Sequence, residues 1–150
     1  MTDALEIARV GPDQVGEVLP MLTTQLLEHG AALTADELAR AARGLVEVEG
    51  RGAILVARAP GPVGVAVLAY TWTLEHGGRA AWLDELYVVP ERRGAGIGQR
   101  MLAAALTVAR ADGCLGLDLE VDADHARAES LYLREGFVKL PRRRFARRLA

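Results

Sequence analysis

The stretch Glu91-Arg92-Arg93-Gly94-Ala95-Gly96-Ile97-Gly98-Gln99 sets two arginines and three glycines between a strand-like run and a helix-like one. Each glycine adds backbone entropy that folding must remove, so three at alternate positions weaken any regular element they join. Something at this point requires bare backbone. Asp84 to Val89, just before, reads as a strand; just after, Ile97, Met101, Ala105 and Val108 fall on one helical face. The first N–H groups of a helix have no intrahelical partner, so a strand, a glycine loop and a helix start together form a site for an anion, phosphate above all. Arg92 and Arg93 add positive charge on the flank of the loop.

Two nucleotide fingerprints do not fit. A P-loop needs Lys and Ser/Thr after its last glycine, where this chain has Gln99-Arg100. The pattern G-x-G-x-x-G fails on its third glycine, because Gly94, Gly96 and Gly98 are spaced by two throughout. Glu120 lies near where the ribose-binding acid of that pattern would stand, but the hairpin-like strands before the loop are not repeated βαβ units. A turn that serves only helix–strand packing is the remaining alternative.

The rest of the chain supplies the context. Leu5 to Val10 alternates as a half-buried strand, and Gly11-Pro12-Asp13 turns into a helix with Val15, Val18, Leu19, Leu22, Leu26 and Leu27 on one face, ending at His29-Gly30. Thr34-Ala35-Asp36-Glu37 is a capping box, which opens a second helix to about Glu49. Ala53 to Ala57 is an apolar strand, Pro60-Gly61-Pro62 a turn, Val63 to His76 a strand pairing back, and Gly77-Gly78 a turn into Arg79 to Val89. Asp112-Gly113 stops the helix after the loop. Leu115 to Val121 alternates as a strand, and Asp124 is placed to cap a helix running to Glu135, with Gly136 closing it. Phe137–Leu140 and Arg143–Leu149, separated by Pro141, suit a final hairpin. The expectation is a mixed α/β fold with a largely antiparallel sheet, one central crossover helix and about four helices in all, in a single domain over residues 1–150.

Composition bounds the function. With 150 residues, 51% hydrophobic and 25% charged, the chain has enough for one domain's core, and a net charge of -2 gives no bias toward nucleic acid or an anionic membrane. No apolar run approaches the ~20 residues of a membrane span, and no charged-then-apolar leader opens the chain. Cys114 is the only cysteine, which excludes an internal disulfide or a multi-cysteine metal site. A cytoplasmic protein without metal, nucleic-acid or membrane partners is expected. Arg142, Arg143, Arg144, Arg147 and Arg148 read as a solvated edge strand, since no aromatic ladder beyond Phe145 accompanies them.

In these motifs the chain resembles the GCN5-related N-acetyltransferase family. The family's acyl-CoA signature, Arg/Gln-x-x-Gly-x-Gly/Ala, corresponds to Arg93-Gly94-Ala95-Gly96-Ile97-Gly98, after a strand reading Leu86-Tyr87-Val88-Val89-Pro90. Its second motif, Leu-Tyr-x-x-x-Gly-Phe, corresponds to Leu131-Tyr132-Leu133-Arg134-Glu135-Gly136-Phe137. The order of elements agrees along nearly the whole chain. The resemblance implies a sheet that splays where the strand before the loop parts from the strand after the helix. It also implies acetyl-CoA as cosubstrate, with the pantetheine arm bonded to the backbone of Leu86, Tyr87 and Val88 like an added strand. The pyrophosphate would sit on the N–H groups of Gly94, Ala95, Gly96, Ile97, Gly98 and Gln99. His125 stands where the family usually has a cofactor-contacting asparagine, and imidazole retains a hydrogen-bond donor.

The implied activity is direct transfer of an acetyl group from acetyl-CoA to a small-molecule amine. Such a transfer asks for a base to deprotonate the ammonium, a donor for the oxyanion and an acid for the departing thiolate. By resemblance the donor is the Val88 N–H and the acid is Tyr132. Asp84-Glu85-Leu86 resembles the Glu-Asp-Phe of polyamine acetyltransferases, with one acid as base or amine anchor. On a regular strand Asp84 and Glu85 face opposite ways, so only one meets the amine unless a bulge re-aims them. The two acids favour a cationic acceptor that is polyamine-, aminoglycoside- or amino-acid-like. A protein N-terminus or lysine is an alternative acceptor, and a non-catalytic CoA-binding sensor is an alternative role. Family habit adds a homodimer. His29 and His76 read as surface histidines and Cys114 as a buried small side chain.

Overall fold

Ala53 to Ala57 and Val63 to Leu68 are buried residue after residue, as strands covered on both faces must be. In the computed structural model, which describes residues 4–150, these two runs are the centre of a five-stranded sheet. Its strands are β1 (Glu6–Arg9), β2 (Gly52–Arg58), β3 (Pro62–Thr73), β4 (Gly78–Val88) and β5 (Leu117–Asp118), in sequence order. Neighbours are antiparallel except β4 and β5, which are parallel. Parallel neighbours need a crossover, and α3 (Ile97–Ala111) provides it.

Strand alternation gives the sheet two apolar faces. Ile54, Val56, Val65, Val67 and Tyr87 cluster with Val15 and Val18 of the turn before α1, Met21 and Leu22 of α1 (Leu19–Glu28), and Ala42 of α2 (Ala35–Glu47). The capping box of α2 is present: Glu37 N–H donates to Thr34 Oγ1 at 3.1 Å, and Thr34 N–H donates to Glu37 Oε2 at 2.8 Å. The opposite face carries α3, whose Met101, Leu102 and Ala105 are fully buried. A Cβ at Gly64 would lie 2.6 Å from Met101 Sδ, so glycine there is what lets α3 settle on β3.

The C-terminal end of α3 is tied to the sheet by Asp112. Arg9 Nη1 and Nη2 donate to its carboxylate at 3.2 and 2.8 Å, Tyr70 Oη donates to it at 2.6 Å, and Arg79 Nη1 donates to its main-chain oxygen at 2.8 Å. Arginine donors hold the Asp112 carboxyl below its usual range, while burial and the Asp112 bond push the Tyr70 phenol up. One residue thus joins α3 to β1, β3 and β4.

The chain falls into two compact units, the first ending at Leu119 and the second starting at Glu120. The second contains α4 (Ala126–Arg134) followed by residues 135–150. Residues 1–3 of the expected 1–150 domain lie outside the described residues. Three expectations are corrected. The strand foreseen from Leu115 to Val121 is reduced to Leu117–Asp118, flanked by single bonds from Leu115 N–H to Arg79 O and Ala81 N–H to Gly116 O. Its pairing with β4 stops at Trp82, two residues before a bulge that bends β4. Asp124 does not cap α4, because the N-cap position falls on His125 and makes no side-chain cap bond. The hairpin over Phe137–Leu140 and Arg143–Leu149 is not formed, so the arginines are not an edge strand. Pro141 has no N–H to pair, and a lone two-stranded ribbon carrying five arginines is marginal at best. Arg144 instead pairs with Glu120.

Asp112→Ala should destabilise the chain by about 1–3 kcal/mol in denaturant titration, since it leaves Arg9 and Tyr70 without their acceptor. A carboxyl with a lowered folded-state pKa contributes stability above its unfolded value and loses it as the pH falls through the folded one. The difference between wild type and variant should therefore be full at neutral pH and shrink in strong acid.

Candidate functional site

The register of β3 and β4 fixes which polar groups of β4 are spent. Val89 N–H donates to Val63 O at 2.9 Å, and Gly64 stands opposite Val88, Val65 opposite Tyr87 and Ala66 opposite Leu86. In an antiparallel pair hydrogen-bonded and non-hydrogen-bonded positions alternate, so Tyr87 bonds to β3 while Leu86 and Val88 turn their N–H and C=O groups away from it. On that side β5 pairs with β4 only at Ala81 and Trp82. No strand among the described residues continues the ladder past Trp82.

The loop then reverses the chain. A short 3-10 turn, Pro90–Arg92, leads through Arg93 to Gly94 and Gly96, which have φ of 84° and 81°. Both lie in the left-handed region that glycine enters without a Cβ penalty. Gly96 is the N-cap residue of α3, and its C=O accepts from Arg100 N–H at 3.1 Å. Ile97 and Gly98 open the helix, where N–H groups have no intrahelical acceptor. Packing does not account for Gly98. Its φ is not in the left-handed region, and an added Cβ would meet only Val88 Cγ2 at 3.9 Å, an ordinary contact. The two arginines are anchored to main-chain carbonyls: Arg92 Nη1 donates to Ala59 O at 3.0 Å, and Arg93 Nε donates to Val88 O at 2.8 Å.

The two acids do not sit on a regular strand. Val67 stands opposite Glu85 but Leu68 opposite Leu83, so Asp84 is an extra residue in β4. The bulge reverses the phase: Leu83 keeps the face of Leu68, and Glu85 moves to the face of Val67, toward α1. There its carboxyl lies near enough to the Gln25 side chain and to His29 for both to favour its charged form. Burial pushes the Glu85 carboxyl up, opposed by Gln25 and aided by the neighbouring charge of Asp84. Asp84 itself is exposed. Gln25 was not foreseen from the sequence; the signal was its place on the inward stripe of α1, four residues after buried Met21 and three after buried Leu22.

The second motif is a helix stop that fixes Tyr132. Phe137 N–H donates to Tyr132 O at 3.0 Å and Gly136 N–H to Leu133 O at 3.2 Å, with Gly136 at φ 90°. These are the two bonds of a Schellman motif, and its usual apolar contact is the edge-on packing of Phe137 against Tyr132, with ring centroids 5.6 Å apart. Burial pushes the Tyr132 phenol up, so it stays protonated through neutral pH. Tyr132 and exposed His125 belong to the second unit; Asp84 to Val88 and Arg93 to Gln99 belong to the first.

His76 Nε2 meets Asp118 Oδ2 at 2.9 Å, and its ring fills the space a Cβ at Gly116 would take. Burial raises the Cys114 thiol, which keeps it from acting as a thiolate. Among the described residues no group of three or more His, Cys, Asp or Glu side chains is placed to hold a metal, and no helix is long and apolar enough to cross a membrane.

The glycines differ in what they do for folding, and substitution should separate them. Gly96→Ala should cost about 1–2 kcal/mol from its left-handed backbone. Gly98→Ala should gain about 0.5–1 kcal/mol, because alanine is the better helix former and has room. Chemical denaturation of both variants checks the opposite signs.

Comparison with known proteins bears directly on this arrangement. The family model described as Acetyltransferase (GNAT) family matches residues 21–137. A mycothiol acetyltransferase of Paenarthrobacter aurescens is 33% identical over 117 residues, covering 75% of this chain and 34% of that protein. A bovine thialysine N-epsilon-acetyltransferase is 39% identical over 83 residues, covering 49% of this chain and 46% of its own length. The chain thus spans under half the length of these curated relatives. Among solved structures, a putative acetyltransferase from Arthrobacter sp. FB24 is 33% identical with a TM-score of 0.81, covering 96% of each chain. An aminoglycoside N-acetyltransferase in complex with CoA shares the fold at a TM-score of 0.83 and 15% identity, covering 98% of this chain and 96% of that one. With the glycine turn after β4, the Schellman-locked Leu-Tyr…Gly-Phe helix and a family match over most of its length, the chain belongs to the GNAT acetyltransferase family.

Proposed function

We propose that this chain transfers an acetyl group from acetyl-CoA directly to the amine of a small cationic molecule. The observation that carries the reading is the β4 edge: past Trp82 no strand among the described residues pairs with the side turned away from β3, and this edge leads from outward-turned Leu86 and Val88 into the Gly94–Gly98 turn. A pantetheine arm carries amides that match such an edge, as an added strand does. Gly98 supports the same reading, since glycine there weakens the helix and no packing contact requires it. Bare backbone at the helix start suits a pyrophosphate.

Acetyl-CoA supplies the activated acyl group, and the chain's own residues supply the rest. Leu86 holds the arm through its outward main-chain groups, and the Val88 N–H is the donor for charge on the carbonyl oxygen. Gly94, Ala95, Gly96, Ile97, Gly98 and Gln99 offer main-chain donors to phosphate. Glu85 is the base: it is half-buried, its carboxyl is raised, and the bulge turns it toward α1 rather than α3. Asp84, exposed beside it, adds negative charge for a cationic acceptor. Tyr132 is the acid for the thiolate, as the family resemblance implies; its protonated, ring-locked phenol supports that role. The names of the curated relatives, which include thialysine, agree with a small acceptor.

Release of CoA thiol from acetyl-CoA, measured with a polyamine, an aminoglycoside, thialysine and an N-terminal peptide, tests the proposal. Turnover highest with the small cations is expected. Tight acetyl-CoA binding without turnover on any amine would instead favour a CoA sensor. The acid limb of kcat/KM should lie above the ordinary carboxylate range, rising as Glu85 deprotonates, and should vanish in Glu85→Gln. Gly98→Ala should raise KM for acetyl-CoA about tenfold, although it stabilises the fold.

A further inference from the structure

We propose that Arg93 is a positioning residue whose side chain caps the Val88 carbonyl on the open edge of β4, so that Val88 offers its N–H and not its C=O to whatever lies there. The inference rests on the acyl-CoA reading of that edge and deepens it.

The β3–β4 register sends both polar groups of Val88 to the same side, away from β3. An uncapped carbonyl there would do two things. It would accept an amide N–H from a ligand and let the ladder slip past Val88. It would also place its negative end beside any oxygen held on the Val88 N–H, which opposes charge growing on that oxygen. Arg93 Nε–H, 2.8 Å from Val88 O, removes both effects.

The arginine is itself held. Its guanidinium carbon lies 5.3 Å from the centre of the Tyr87 ring, and Tyr87 is buried in the core with Val65 and Val67. Its own N–H donates to Pro90 O at 3.3 Å, so backbone and side chain together close the turn from Val88 to Gly94. What the carbonyl needs from residue 93 is an N–H donor. The positive charge is secondary.

The test compares Arg93→Ala, Arg93→Gln and Arg93→Met in the full chain, using CoA binding by calorimetry and acetyl-CoA turnover with the best amine of the panel. Arg93→Ala and Arg93→Met, which keeps a stem over Tyr87 but has no donor, should each lose about tenfold in kcat. CoA affinity should change by less than about threefold. Arg93→Gln should recover most of the kcat. Should the alanine variant not fold, the methionine variant gives the same comparison. Equal weakening of CoA binding in all three variants, with loss of its salt dependence, would show a charge partner of the pyrophosphate and overturn the proposal. Wild-type kcat in the methionine variant would overturn it as well. Failure of the wild type to bind CoA would defeat the acyl-CoA reading first, and this inference with it.

Discussion

One extra residue in β4 governs what the site has to work with. Asp84 enters as a bulge between Leu83 and Glu85, and from there the strand has the opposite phase. Without it, Glu85 would point at α3 and compete with the apolar packing of Leu68 and Leu83. With it, Glu85 meets Gln25 of α1, and Tyr87 reaches the core beside Val65. The bulge also stands next to the point where β5 stops pairing, so the polar edge of Leu86 and Val88 and the turned-out acid begin at the same place.

The two ends of α3 have different physics. At its C-terminal end Asp112 collects donors from β1, β3 and β4, and the helix is held by charge-assisted bonds. At its N-terminal end there is no side-chain cap, and the first turn holds a glycine that packing does not demand. Stability is concentrated where the helix meets the sheet and withheld where its N–H groups face outward. That division suits an element that anchors at one end and, on the proposed function, binds at the other.

Much of this was legible in the sequence. The strand–glycine–helix passage, the capping box at Thr34 and the stop at Gly136 are local devices, each set by residues within a few positions of one another, and they appear where the pattern puts them. The mixed sheet with a central crossover followed from the same local signals. What was not legible depends on pairing across the chain. Whether Asp84 and Glu85 share a face is set by the register with Val67 and Leu68, which alternation alone does not carry. The arginine-rich end alternates well enough to read as a strand, yet charge and Pro141 leave it without a ladder. Gln25 gave a weak signal, a polar residue on an apolar stripe, and gained meaning only opposite Glu85.

Residue-resolved amide exchange with and without acetyl-CoA shows whether the β4 edge receives acyl-CoA as an added strand. Leu86 and Val88 amides should exchange at least about tenfold more slowly with acetyl-CoA bound, while Tyr87, already bonded to β3, should change little. Binding of acetyl-CoA that leaves the exchange of Leu86 and Val88 as it was would show that the edge does not receive it.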